Sequence, residues 1–173
     1  MNLIEVLKTI YWRYMASPVH YARHLGVTVG EYTTISIRDW SSEPYLVTIG
    51  NYVQITHGVS IHTHGGGNCV RKEHPNFDVF GKVTIEDWCY IGAYSQIMPG
   101  VTIGYGSMIA AGSIVTKTVP PNSVAAGNPA KVICTVSEYL KRNEVYNLNS
   151  KGMSKAEKKK FLLSLSDDRF VKK

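Results

Sequence analysis

Residues 85–120, cut every six positions, read IEDWCY, IGAYSQ, IMPGVT, IGYGSM, IAAGSI and VTKTVP. Each block opens on a β-branched aliphatic residue: Ile85, Ile91, Ile97, Ile103, Ile109 and Val115. Upstream, Ile49, Ile55 and Ile61 hold the same spacing, and the gap from Ile61 to Ile85 is itself a multiple of six. About half of the residues in a globular chain are apolar, so six consecutive apolar hits arise by chance roughly once in 64 trials. A fixed short period marks a solenoid, and a hexapeptide period means a β-helix. Ordinary sandwich strands would alternate with period two between turns of variable length.

Each position in the repeat makes its own demand. The first residue points into a narrow interior and stacks on its equivalents in neighbouring coils. The second is Gly (Gly50, Gly92, Gly104) or small (Ala110), which predicts a corner where a Cβ would hinder the bend. The fifth is small or β-branched (Val53, Val59, Cys89, Ser95, Val101, Ser107, Ser113, Val119), which suits a half-buried pleated surface.

The segment from Val27 to Ile133 resembles the hexapeptide-repeat acyltransferases, within them the sugar O-acetyltransferases that act on galactosides, maltose and polysaccharides. Its most specific stretch is IGAYSQIMPGVTIGYGSMIAAGSIVTKTVPPNSVAAGNPAKVI, residues 91–133. The resemblance implies a mainly β fold, a left-handed parallel β-helix. Periodicity does not give that hand, and it runs against the right-handed rule for parallel crossovers. It also implies acetyl-CoA as co-substrate, a homotrimer and active sites between adjacent coils.

The chain divides into an N-terminal helical segment (1–26), the coil (27–133) and a C-terminal helical tail (134–173). Leu3, Ile4, Leu7, Ile10, Tyr11 and Tyr14 stand at helical spacing. Ser17 and Pro18 read as the cap and first position of a second helix that stops at Gly26. Register breaks at 38–46, and again at 65–82, where three glycines and Pro75 predict a projecting loop. Further helices are expected near Ser137–Arg142 and after Ser154. A long loop in a compact domain is usually functional. In the family such a loop leaves the coil beside the active site and reaches over a neighbouring subunit.

The net charge is +6, and residues 151–173 carry eight Lys/Arg against three Asp/Glu. The coil is therefore near neutral and lacks the basic, aromatic-interleaved stripe that nucleic-acid binding needs. Cys69, Cys89 and Cys134 lack metal-site spacing, so no metal is expected, and they fit a reducing cytoplasm. Glu5 and Lys8 interrupt the N-terminal apolar run, which argues against a signal peptide. No stretch approaches transmembrane length. The basic tail reads as a solvated helix, with weak contact to an anionic membrane surface as its rival.

Moving an acetyl group from a thioester to an alcohol needs a base, an oxyanion donor and a surface that holds the donor in place. Histidine suits the first role because its charge changes near neutral pH. His20 and His24 fall on a helix, His57 on an outward repeat position and His74 in the loop. His62 and His64 flank Thr63 at a coil end. The resemblance implies His64 as base, with His62 as the rival. Many relatives carry Asp where Gly65 stands, so another carboxylate or a backbone carbonyl must orient the imidazole. The resemblance also implies that Ala93, Ala111, Gly112, Thr116, Lys117, Asn128 and Lys131 line the acetyl-CoA groove. Small residues there let the pantetheine chain approach, and lysines suit its phosphates. Ser36, Arg38, Trp40 and Glu43, at the first register break, are expected near the acceptor. Trp40 and Tyr45 either stack on a sugar or plug the coil end, and Trp88 faces outward toward the cofactor or a subunit interface. Two other readings stay open. One is N-acetylation of an amino sugar or an amine-bearing antibiotic. The other is a non-catalytic β-helix scaffold.

Overall fold

The computed structural model describes residues 2–172, and its first compact unit, through Val136, is a parallel β-helix with helices at its N-terminal end. Three flat faces stack rung on rung. The first carries Thr28–Val29, Val47–Ile49, Val83–Ile85 and Thr102–Ile103. The second carries Thr34–Ile35, Gln54–Ile55, Tyr90–Ile91 and Met108–Ile109, then ends in the antiparallel hairpin Ser123–Gly127 and Ala130–Thr135. The third carries Ser60–Ile61, Gln96–Ile97 and Ile114–Val115. Rungs lie eighteen residues apart, as Ile85 over Ile103, Ile91 over Ile109 and Ile97 over Val115 show.

The first-position residues form the core. Ile55, Ile85, Ile91, Ile97, Ile103 and Ile109 have no exposed surface. The fifth-position residues are fully buried too, which corrects the half-buried expectation. Their hydroxyls are satisfied at the turns: Ser95 Oγ donates to Gly92 O at 2.6 Å and Ser107 Oγ to Pro120 O at 2.8 Å. The second-position glycines also need a different explanation. A Cβ on Gly92 would stand 2.5 Å from Ala111 N, so close stacking of coils excludes it. The left-handed φ that turns the corner falls instead at the fourth position. It is taken there by Gly58, Gly100, Gly106 and Gly112, but also by Tyr32, Tyr52, Trp88 and Tyr94. Three of these aromatics form an outer ladder, with Tyr32 stacked on Tyr52 at 4.8 Å and Tyr52 on Trp88 at 4.2 Å.

Ser60–Ile61 pairs directly with Gln96–Ile97, so residues 65–82 insert one coil's length without disturbing the stack. Inside that insertion a short helix, Asn68–Arg71, is followed by Val79–Phe80, which returns antiparallel to His64–Gly65.

At the N-terminus, the helix Leu3–Ile10 runs into a π-turn, Tyr11–Met15, and is followed by the helix Pro18–His24 capped by Ser17. Hydrogen bonds tie this helical segment to the coil. Arg38 donates to the carbonyls of Arg13 (2.9 Å) and Ala16 (2.7 Å), and Arg23 donates to Val29 O (2.8 Å). The coil's last strand extends to Thr135, and the second compact unit begins at Ser137 rather than at 134. That unit contains most of the helix Val136–Asn143, and Lys155–Leu163, where Ser154 and Glu157 cap each other reciprocally.

Candidate active site

His64 stands three residues beyond Ile61, at the corner where the third face ends. Strand pairing sets Phe80 opposite it, with ring centroids 6.4 Å apart, and Gly81 N donates to Thr63 O at 2.8 Å. The register break at 38–46 comes back to the same corner. It delivers Ser41, Ser42 and Glu43 just ahead of the 3-10 turn Pro44–Leu46.

Glu43 Oε2 lies 3.0 Å from His64 Nδ1 and accepts from Thr63 Oγ1 at 2.8 Å. Ser42 Oγ lies 3.3 Å from the same ring nitrogen. Ser41 Oγ accepts from Thr63 N at 3.1 Å and bonds the Thr63 hydroxyl. Burial pushes the Glu43 carboxyl upward. The hydrogen bonds from Thr63 and His64, the His64 charge and Ser42 outweigh that push and hold it below its ordinary value. Glu43 is therefore ionised at neutral pH. An ionised carboxylate only accepts hydrogen bonds, so Nδ1 is the nitrogen that carries a proton toward it, and in the neutral imidazole Nε2 is the one with the lone pair. A half-exposed imidazole with one nitrogen fixed by a carboxylate can take a proton at the other.

Glu43 thus answers the question left by Gly65. Expected to face the acceptor, it is hydrogen-bonded to the imidazole. The pair is 21 residues apart in sequence, and no local motif joins them. His62, the rival, has its Nε2 buried with no hydrogen-bond partner among the described residues. Arg38 is not free for an acceptor, because it holds the N-terminal turn through carbonyls. Trp40 packs against the core with its indole N–H buried, and Ser36 continues the second face with its N–H donating to Ile55 O at 2.9 Å. Neither makes a hydrogen bond or ring contact with His64 among the described residues.

The residues expected along the acetyl-CoA groove gather in part. Gly112 N donates to Ala93 O at 2.8 Å, joining two adjacent rungs at one corner. A Cβ at Gly112 would meet nothing within 4 Å, so this corner opens outward. Gly127 N donates to Ser113 Oγ at 3.2 Å and brings in the hairpin that bears Asn128 and Lys131. Thr116 and Lys117 follow Val115 at the next corner and are exposed. Lys117 and Lys131 form no ion pair among the described residues. An open corner of small residues, with free lysines nearby, fits a long anionic ligand. No group of His, Cys, Asp and Glu among the described residues is placed to hold a metal ion.

Known proteins share this pattern. The bacterial transferase hexapeptide family (six repeats) matches residues 82–117. Protein CapG of Staphylococcus aureus is 42% identical over 149 residues, covering 82% of this chain and 85% of that one. The chain belongs to the hexapeptide-repeat transferase family. Within that family, galactoside O-acetyltransferase of Escherichia coli K12 is 37% identical over 123 residues. That match takes in 70% of this chain but 60% of the enzyme's own length. A solved galactoside acetyltransferase in complex with coenzyme A aligns at 30% identity with a TM-score of 0.55, over 78% of this chain and 80% of that one. A hexapeptide-repeat acetyltransferase from Vibrio cholerae shares the fold, with a TM-score of 0.61 at 21% identity over 79% and 94% of the two chains.

Proposed function

We propose that this member of the hexapeptide-repeat family is an acetyl-CoA-dependent O-acetyltransferase whose acceptor is a hydroxyl of a sugar or glycan-assembly intermediate. The observation that carries the reading is the Glu43–His64 pair, which leaves Nε2 free at a coil corner. His64 Nε2 takes the hydroxyl proton as the acceptor oxygen attacks the thioester carbonyl. Glu43 stabilises the imidazolium that forms, as the third member of a nucleophile–base–orienter set does. The imidazolium then returns its proton to the departing thiolate of coenzyme A. Ala93, Ala111 and Gly112 give the pantetheine arm room, Thr116 and Asn128 lie at its far end, and Lys117 and Lys131 face the phosphates. The coenzyme A complex of the galactoside enzyme supports the donor, and the galactoside name supports a sugar hydroxyl over an amine.

The enzyme works as a homotrimer in this reading. The insertion at 65–82 leaves the coil directly after His64 and exposes Val70, Phe77 and Val79, which suits contact with a neighbour. The test is release of coenzyme A thiol with galactosides, maltose and amine acceptors in parallel. His64→Ala is expected to lower turnover about 10²–10⁴-fold with the trimer intact. Loss through His62→Ala alone, or transfer to amines alone, would sink the reading. Mixing inactive His64→Ala chains with inactive chains lacking 65–82 restores activity if the site spans two subunits. No recovery after verified exchange means that each chain completes its own site.

A further inference from the structure

Thr63 sits where the register break, the coil end and the strand returning from the insertion meet, and it is bonded to all of them. The break supplies Ser41 and Glu43, and the returning strand supplies Gly81, whose N–H donates to Thr63 O at 2.8 Å. Thr63 has no exposed surface, so water does not compete for its groups. The protons of this cluster have one consistent arrangement. Glu43 is ionised at neutral pH and can only accept, so the single Thr63 hydroxyl proton points at Glu43 Oε2 over 2.8 Å. Thr63 Oγ1 is then the acceptor in its contact with Ser41, and the Ser41 hydroxyl is the donor. Ser41 Oγ in turn accepts from Thr63 N at 3.1 Å. The chain runs one way, from Thr63 N–H through Ser41 Oγ and Thr63 Oγ1 to Glu43 Oε2. There the His64 Nδ1–H arrives from the other side at 3.0 Å. Hydrogen bonds aligned in this way polarise one another.

A second arrangement of the imidazole competes with this one. The Ser42 hydroxyl has two acceptors in reach, the Glu43 carboxylate and His64 Nδ1, the latter at 3.3 Å. A hydroxyl can donate to a bare ring nitrogen. If Ser42 donates to Nδ1, the ring proton sits on Nε2, and no lone pair is left there to take a proton from an acceptor. Which tautomer forms depends on what the other nitrogen is held against. We propose that Thr63, backed by Ser41, is a positioning residue that selects the base-competent tautomer of His64, by holding Glu43 Oε2 on Nδ1 against the competing hydroxyl of Ser42. Being fully buried, Thr63 reaches the reacting atoms only through Glu43 and His64. As a contribution to catalysis this role rests on the acetyl-transfer reading; as a device that sets a tautomer it does not.

Nitrogen-15 NMR of the full chain, at a pH where the imidazole is neutral, reads the tautomer directly. The spectrum of His64→Ala identifies the His64 signals by their loss. The wild type is expected in the Nδ1–H form. Thr63→Val keeps the volume and removes the hydroxyl, and should move the ring in large part to the Nε2–H form. Thr63→Ser should hold it in the Nδ1–H form. Adding Ser42→Ala to Thr63→Val removes the competitor and should bring Nδ1–H back. In thiol release with acetyl-CoA, Thr63→Val should lower kcat about 10–100-fold, the weight of one hydrogen bond to a charged group. KM should change little, and Thr63→Ser should recover most of the loss. Should Thr63→Val misfold, Ser41→Ala makes the same test, since it removes the donor to Thr63 Oγ1 one step earlier in the chain. The proposal is overturned by a wild type already in the Nε2–H form, or by a tautomer that stays put in Thr63→Val, or in Ser41→Ala where the former does not fold. A shift that either Thr63→Ser or the added Ser42→Ala leaves in place overturns it too. A wild type that transfers no acetyl, yet whose Nδ1–H form is lost through Thr63→Val, would sink the acetyl-transfer reading and leave the tautomer device standing.

Discussion

Replacing Glu43 with Gln separates two roles for one residue, orienting the base or touching the acceptor. Glu43 Oε2 sits 3.0 Å from His64 Nδ1 and 2.8 Å from Thr63 Oγ1. Gln keeps the length and one carbonyl oxygen, so the acceptor position on Nδ1–H can survive. What it loses is the charge. A charge-assisted hydrogen bond is roughly twice as strong as a neutral one. The imidazolium exists only once the proton has moved, so the loss falls on the transition state. The His64 side chain is 43% exposed, and water screens the pair. Together these set the expected loss in kcat at about 10–100-fold, below the 10²–10⁴-fold for removing the base itself. KM for acceptor and donor should hardly move.

Steady-state thiol release at saturating acetyl-CoA measures both constants. The decisive comparison is the double variant. Glu43 acts through the imidazole, so Glu43→Gln in a His64→Ala background should cost nothing more. If Glu43→Gln lowers the residual rate of His64→Ala by the same factor, or raises the acceptor KM alone, the carboxylate meets the substrate directly. The orienting role would then be wrong.

Other outcomes follow from the same geometry. Because the Glu43 carboxyl is held below its ordinary value, its contribution to stability is complete above the unfolded-state value and is lost as pH falls through the folded one. The melting gap between wild type and Glu43→Gln, open at neutral pH, should therefore close on acidification; a gap that widens toward acid contradicts this. Lys131→Ala should raise KM for acetyl-CoA more than it lowers kcat, and less so with dephospho-CoA donors, since a phosphate contact binds ground and transition states alike; equal loss with both donors places the lysine elsewhere. Cys89, pushed up to about 11 by burial, should resist iodoacetamide in the folded protein while exposed Cys69 reacts; mass spectrometry of the alkylated peptides decides it. Gly92→Ala should lower the melting temperature more than Gly100→Ala, because the first Cβ meets backbone at 2.5 Å while the second meets open space despite a φ of +82°; the reverse order would remove close stacking as the reason for that glycine.

The parts of the molecule that were legible in the sequence are those whose physics is periodic. A residue that must point into a three-sided interior recurs every sixth position, so Ile85 through Val115 announce the stack by their spacing alone. What spacing does not show lies where distant segments meet. Gly92 reads as a corner because glycine usually marks one, yet its constraint comes from a coil eighteen residues on. The real corners are taken partly by tyrosine and tryptophan, which stack on one another in strained positive-φ positions. Glu43 shows the same limit at the site. Its spacing from His64 follows no period, because a register break supplies one partner and a coil end the other. A family motif points to the histidine, but only the folded stack shows which carboxylate reaches it. The N-terminal stripe makes a converse case. Its spacing was plain, and an amphipathic pattern ordinarily predicts a helix packed by its apolar side. Here the stripe stays open to solvent in the folded chain, so the usual inference from pattern to burial fails. All six side chains stay between 46% and 73% exposed, because spacing fixes which residues share a face of a helix but not whether another element lies against that face.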